Sequence, residues 1–244
     1  MKIAVLPDVQ AKPDLKFDHL THCGKYIADK RPDVIVQIGD FADMPSLSSY
    51  DKGKRKFEGR RYRHDIDAAQ RAMDTLMAPI WAAEGYSPQL VLTLGNHENR
   101  IDRATNETPE LEGLISVDDL GYAQYGWEVH PFLKVVQIGG VAFSHYFVSG
   151  VMGRPVTTAS ALLAKKHMSC VAGHQQGKQI AYGSKADGST LTSIIAGSCY
   201  THDEDYLGPQ GNKHWRGMFF MHEVRDGAFD EMWLSLDYLK RRYK

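Results

Sequence analysis

The chain has 244 residues, 43% hydrophobic and 24% charged, a composition that can bury a substantial core and argues against disorder. Its formal net charge of −1 gives no global attraction to nucleic acid or to an anionic membrane, so affinity for either must come from a local patch. Cys23, Cys170 and Cys199 are odd in number, widely spaced and without a Cys-x-x-Cys pair, which argues against a disulfide framework and a thiolate zinc site and fits a reducing compartment.

After Met1-Lys2 the apolar run Ile3 to Leu6 stops at Pro7-Asp8, far short of a signal peptide or of the roughly 20 residues of a membrane span. A cytoplasmic protein without membrane contact is expected. Further apolar runs at Val34 to Ile38, Leu90 to Leu94, Val141 to Ser144, Ser169 to Ala172 and Leu191 to Ile195 read as buried strands. Phe17, Leu20, Gly24 and Ile27 share one face of a helix between the first two runs. Ile66, Ala69, Met73, Leu76 and Ile80 do so between the next two, with Pro79 expected to kink the end of that helix. The opening half is thus β-α-β-α-β and favours parallel strands. From about Trp127 the pattern becomes closely spaced strands with few helices, including Gly217 to Val224 and Phe229 to Leu236 around Arg225-Asp226-Gly227. The expected fold class is α/β, an α/β/β/α sandwich of two mixed sheets flanked by helices. Without internal repeats or a Gly/Ser-rich linker, residues 1–244 read as one domain with a basic insertion at about residues 45–64.

Polar residues cluster where these strands end. Asp8-Val9-Gln10 follows the first, Gly39-Asp40 the second, Gly95-Asn96-His97-Glu98 the third, His145 the fourth and Gly173-His174-Gln175-Gln176 the fifth. Carboxyl ends of strands are where α/β sheets bind ligands, so these loops would bring two Asp, an Asn and three His into one cleft. Such a donor set suits Mn, Fe, Zn or Mg, and a shared carboxylate can hold two ions about 3.5–4 Å apart. Paired ions lower the pKa of a shared water and clamp phosphoryl oxygens. An adjacent imidazole can then protonate the leaving oxygen.

These motifs, in this order and each after a strand, resemble the calcineurin-like metallophosphoesterase family over Asp8 to Gln176, about two thirds of the chain. Gly95-Asn96-His97-Glu98 is the most specific element. The resemblance implies that Asp40 bridges two ions, that Asn96, His145 and His174 complete the second site, that His97 acts on the phosphate and that Asp8 belongs to the first site. Two positions depart from the family pattern: Gln10 stands for the His of Asp-x-His, and Gln176 for the second His of Gly-His-x-His. Both belong to the first site. With Asp8, Gln10, Asp40 and Gln176 that site would be all oxygen, favouring Mn or Mg over Zn and binding more weakly. Alternatively its ion is lost, or is held by a substitute from Thr201 to Asp205. The paired glutamines resemble small phosphoesterases of tailed bacteriophages, for which the compartment would be the host cytoplasm. The cofactor expected is one or two divalent ions, Mn first, with Mg, Fe, Zn or Ni as alternatives.

Arg100 is a candidate for a forked contact to a phosphate oxygen, beside the reading of a surface charge. Glu98 reads as a supporting residue, Asp43 as a turn or cap residue in preference to a support of the second loop, and His202 and His214 as loop residues able to reach the cleft. Lys52 to His64 carries seven Lys and Arg against one Glu, interleaved with Phe57 and Tyr62, a pattern suited to DNA or RNA through Lys52 to Arg63 or to a solvated insertion. The function expected is metal-dependent hydrolysis of a phosphoester substrate, a nucleotide or nucleic-acid diester first. The alternatives are a phosphomonoesterase, protein phosphatases included, and a non-catalytic nucleic-acid-binding module.

Overall fold

The structure is a computed structural model describing residues 1–244. Four parallel strands form its centre: β1 (Ile3–Leu6), β2 (Val34–Gln37), β3 (Gln89–Thr93) and β4 (Glu128–His130). Between them run α1 (Asp18–Lys30), α2 (Tyr62–Trp81) and α3 (Arg100–Glu107). The hairpin of β12 (Gly217–Arg225) and β13 (Ala228–Ser235) completes this six-stranded sheet, with β12 antiparallel to β1.

The second sheet has five strands: β5 (Val136–Ile138), β6 (Val141–Ser144), β9 (Cys170–Ala172), β10 (Gln179–Ser184) and β11 (Thr190–Ile195), in the order β10-β11-β9-β6-β5. A small hairpin, β7 (Val148–Ser149) with β8 (Arg154–Pro155), and α4 (Ala159–Lys166) lie between β6 and β9. The short α5 (Gly208–Gly211) and α6 (Leu236–Tyr243) follow β11 and β13.

Alternation along the strands builds the layers. Ala4 and Leu6 face a core with Leu20, Ile27, Met73 and Leu76 of α1 and α2, whereas Ile3 and Val5 face the second sheet and pack with Phe143, Val171 and Ile194. Behind that sheet, Ala142 and Cys170 pack with Leu162 of α4. The result is helix, sheet, sheet, helix, the α/β/β/α sandwich expected from the sequence. Strands β1, β2 and β6 are buried at every position, which explains their uninterrupted apolar runs.

Several details differ from the sequence-based expectation. The helix containing Pro79 continues to Trp81, because a proline in the last turn forfeits little of the hydrogen-bond ladder. Gly24 permits this crossing: a Cβ there would lie 2.3 Å from Leu76 O and 2.8 Å from Pro79 Cγ. The second half also contains α4 and α6, more helix than its strand-like pattern implied, and Leu236 opens α6 instead of ending β13.

Candidate active site

The loops after β1, β2, β3, β6 and β9 are pinned to one another by short hydrogen bonds. Val9 N and Gln10 N donate to Asp40 O at 3.0 and 2.8 Å, and Gly173 N donates to His145 O at 2.9 Å. His97 N donates to Asp40 Oδ1 at 2.9 Å, and His174 N to Asp8 Oδ1 at 3.1 Å. Gln10, Asp40 and His174 all sit in the left-handed backbone region, a strained conformation for side chains of this size. Gly95 is required by closeness: a Cβ there would meet Asp40 Oδ1 at 2.1 Å.

Glu98 organises this edge from within. Fully buried, its carboxylate accepts from Asp40 N (3.0 Å), Ala42 N (2.8 Å), Gly95 N (2.9 Å) and the Tyr122 hydroxyl (3.4 Å), tying the loops after β2 and β3 together. It supports the centre and does not enter it.

The candidate ligands of the second site converge. Asp40, His145 and His174 present ligand atoms all within 4.8 Å of one another. His145 Nδ1 lies 2.9 Å from Ile38 O, a pure acceptor, so this nitrogen carries the proton and Nε2 is left with its lone pair. That lone pair faces Asn96 Oδ1 at 3.0 Å and Asp40 Oδ2 at 3.3 Å. Three acceptor atoms aimed at one another are stable only around a cation, which the donor chemistry of a divalent ion fits.

Burial opposes charge on His145, but Asp40 and Asp8, with the hydrogen bonds to Asp40 and Ile38, lift its pKa to about 9. Burial works against ionised Asp40 as well, yet His145 and His97 hold that carboxyl below its usual range. His174 goes down to about 4, through burial first and the neighbouring His145 second, and so stays neutral with a lone pair free.

The Asp8 side is built differently. Burial raises the Asp8 carboxyl to about 7, with His145 opposing and Asp40 reinforcing the rise. Gln10 is buried with neither Oε1 nor Nε2 partnered, a costly state for an amide and one an oxygen-seeking cation would relieve. Gln176 fits an ion less well. Its Oε1 accepts from the Tyr200 hydroxyl at 2.8 Å, while its Nε2 is turned toward Asp8 Oδ2 at 3.4 Å. A donor therefore faces Asp8 where a ligand oxygen was expected.

His97 projects between Asp40 and Asp43. Its Nδ1 lies 2.7 Å from Asp43 Oδ1, a charged contact bent away from the ideal N–H line, and its Nε2 lies 3.7 Å from Asp40 Oδ2. Burial would lower its pKa, but Asp40 and Asp43 together raise it. Asp43 itself is held at about 2, because His97, Arg100 and Lys12 outweigh its burial.

Asp43 is the residue that sequence reasoning missed, having read it as a turn residue. Its spacing in Gly39-Asp40-Phe41-Ala42-Asp43 was the available signal. Arg100 braces the Asp43 loop with one arm: its Nη1 donates to Asp43 O (2.7 Å), Met44 O (3.3 Å) and Asp43 Oδ1 (3.4 Å).

His202 and His214 stand outside the convergent group. His202 Nε2 pairs with Glu204 Oε1 at 2.6 Å, and the same oxygen accepts from Lys12 Nζ at 2.6 Å, which lies 3.8 Å from Asp43 Oδ2. His214 pairs with Ser198 Oγ at 2.8 Å. Beside His174, the Tyr146 ring is 4.9 Å away by centroid and Phe132 lies 5.4 Å beyond it, an aromatic wall that the sequence reading did not include.

The basic run Lys52 to Arg63 is partly paired. Arg60 Nη1 reaches Asp51 (2.8 Å) and Pro45 O (2.9 Å), and Lys56 lies 3.0 Å from Asp51 and 3.9 Å from Asp205. Lys54 lies 3.7 Å from Asp51 and Arg63 2.9 Å from Asp67, and Lys52, Arg55 and Arg61 are exposed.

Residues 1–188 match the calcineurin-like phosphoesterase family. The chain is 29% identical over 140 residues to the Gene 54 protein of Mycobacterium phage L5, covering 55% of this chain and 52% of that protein. It is 31% identical over 99 residues to the Gene 54 protein of Mycobacterium phage D29, covering 41% and 36%. The chain thus spans about half the length, or less, of the curated relatives it matches. Among solved structures, a dimetal phosphatase from Danio rerio is similar with a TM-score of 0.43 at 13% identity, covering 97% of this chain and 99% of that one. With its family match running through all five strand-end motifs, the chain belongs to the calcineurin-like phosphoesterase family.

Proposed function

We propose that this hydrolase is a phosphodiesterase acting on nucleotide or nucleic-acid diesters, with manganese as its metal. The observation that carries the diester reading is the basic run Lys52 to Arg63, anchored through Arg60 to Pro45 O and through Lys56 to Asp205 beside the catalytic loops. A chain of phosphates passing the site would meet these cations, and its bases the rings of Tyr146 and Phe132.

Asp40, Asn96, His145 and His174 would hold the principal ion, and Asp8 with Gln10 the first-site edge. A divalent ion there supplies charge stabilisation for phosphoryl oxygens and a lowered pKa for water. His97 is aimed to deliver the proton on Nε2 to the departing oxygen, with Asp43 fixing the ring through Nδ1 and favouring its charged form. Arg100 and Lys12 keep Asp43 in place and ionised. Preference for manganese rests on the oxygen-rich first-site edge.

We read residues 1–244 as a single unit and its compartment as the host cytoplasm, by likeness to the phage proteins. No helix is long and apolar enough to cross a membrane.

The test is to strip the protein of metal, restore manganese, and compare rates on a phosphodiester and the matching phosphomonoester. Faster turnover of the diester is expected, with a further loss on oligonucleotides when Lys54, Arg61 and Arg63 are changed to Ala. Faster turnover of the monoester would transfer the reading to a phosphatase.

A further inference from the structure

Away from the metal-ligand loops, a cavity of about 640 Å³ opens between the starts of α1 and α6 and the segment that follows β11. Its walls include Lys16, His22, Tyr200, Trp215, Arg216 and Lys240. Its volume is that of a small-molecule site.

Several basic side chains at the cavity are uncommitted. Lys16, His22 and Lys240 make no hydrogen bond or ion pair, and Arg216 Nε is buried without a partner although Nη2 pairs with Asp203 and with Asn212 O. Two carboxylates also line the cavity, Asp18 and Asp237. Both are exposed in the first turns of α1 and α6, and neither pairs with the lysines. Lys16, Lys240 and Arg216 line the cavity against these two carboxylates, with Arg216 shared with Asp203 outside the lining. Both helices begin at this cavity, and Phe17, at the N-cap of α1, supplies no side-chain oxygen to its first N–H groups.

We propose that this cavity is a second ligand site, independent of the catalytic centre, that binds a phosphate-bearing small molecule: a nucleoside phosphate or a free oligophosphate. Lys16, Lys240 and His22 meet the phosphates at the mouth, where solvent access lets an anion enter without a buried-charge penalty. Arg216 is held 5.1 Å over the Tyr200 ring and adds its charge to the wall. The half-buried Trp215 gives a nucleoside a surface to pack on.

The site stands whether the enzyme prefers diesters or monoesters, and it adjoins the catalytic machinery through one segment. Tyr200 lines the cavity with its ring and holds Gln176 Oε1 with its hydroxyl, and the preceding Cys199 N donates to Asp8 O at 2.7 Å.

Isothermal titration calorimetry on the manganese-loaded 244-residue chain tests this, with ADP in one arm and inorganic pyrophosphate in the other. The expected result is a saturable event that survives Asn96→Ala, is weakened about tenfold or more in Lys16→Ala/Lys240→Ala, and leaves that double variant's phosphoester turnover at the wild-type rate. Equal binding of the two probes assigns recognition to the phosphates, and tighter binding of ADP assigns a share to the nucleoside. Circular dichroism of the double variant checks its fold. The absence of any saturable event overturns the proposal, as does an event lost with Asn96→Ala or unchanged in the correctly folded double variant.

Discussion

The two sides of the metal centre use the same scaffold to different ends. On the Asn96 side, imidazole, amide and carboxylate point acceptors at one another, an arrangement that requires a cation. On the Asp8 side, Gln176 turns an amide donor toward the carboxylate and Gln10 leaves both of its polar atoms unpaired. The contrast teaches that replacing imidazole by amide does more than weaken a ligand. An amide carries its own donor, so it can satisfy an acidic neighbour with no ion present, as Gln176 does for Asp8. On the Asn96 side the amide presents its oxygen instead, so cohesion there rests on a cation or a proton.

The largest expected effect therefore lies on the Asn96 side. His145→Ala removes the imidazole that faces both Asn96 and Asp40, and should lower kcat by about a hundred- to a thousandfold in steady-state assays. A matching loss of bound metal would locate the defect in the site and not in the fold. Next is Asp43→Asn, which keeps the contact to His97 but removes its charge. We expect kcat to fall about a hundredfold with KM nearly unchanged, because the proton on His97 is then less available and poorly oriented.

A smaller effect is expected beneath Asp8. His19 Nε2 lies 3.1 Å from Cys199 O, and burial pulls its pKa down to about 4, partly offset by that carbonyl. The unfolded chain therefore takes up a proton between pH 6.5 and 4 that the folded chain refuses. Stability should be complete above about pH 6.5 and fall by roughly 2–3 kcal/mol on acidification toward pH 4. In urea titrations at both pH values, His19→Asn should flatten this dependence; an unchanged slope would remove His19 from the account. The smallest effect sharpens the contrast between the two sides. Gln10→His/Gln176→His should tighten the weaker metal site about tenfold and shift its preference toward zinc, measured by metal titration.

Much of this was legible in the sequence because the informative strands are buried on both faces. Runs such as Ile3 to Leu6 and Val141 to Ser144 stand out, and the polar residues just after them mark the cleft. Strands β4, β5 and β10 escaped notice because they lie at sheet edges, where short, half-exposed segments carry polar residues such as Glu128, Gln137 and Tyr182. Asp43 escaped for a different reason. Its role is created by His97 on another loop, and its spacing alone is also that of a turn. The pairing of Lys12 with Glu204, 192 residues apart, left no local pattern to read.

The most direct test of the central claim is to count manganese bound per chain by equilibrium dialysis and to measure diester turnover on the same samples, for the wild type and Asn96→Ala. The account predicts that the wild type binds at least one ion tightly and turns over only with it, and that Asn96→Ala loses that ion and nearly all activity together. Full manganese binding with undiminished turnover in Asn96→Ala would contradict it, because the Asn96 side would then not be where the metal works.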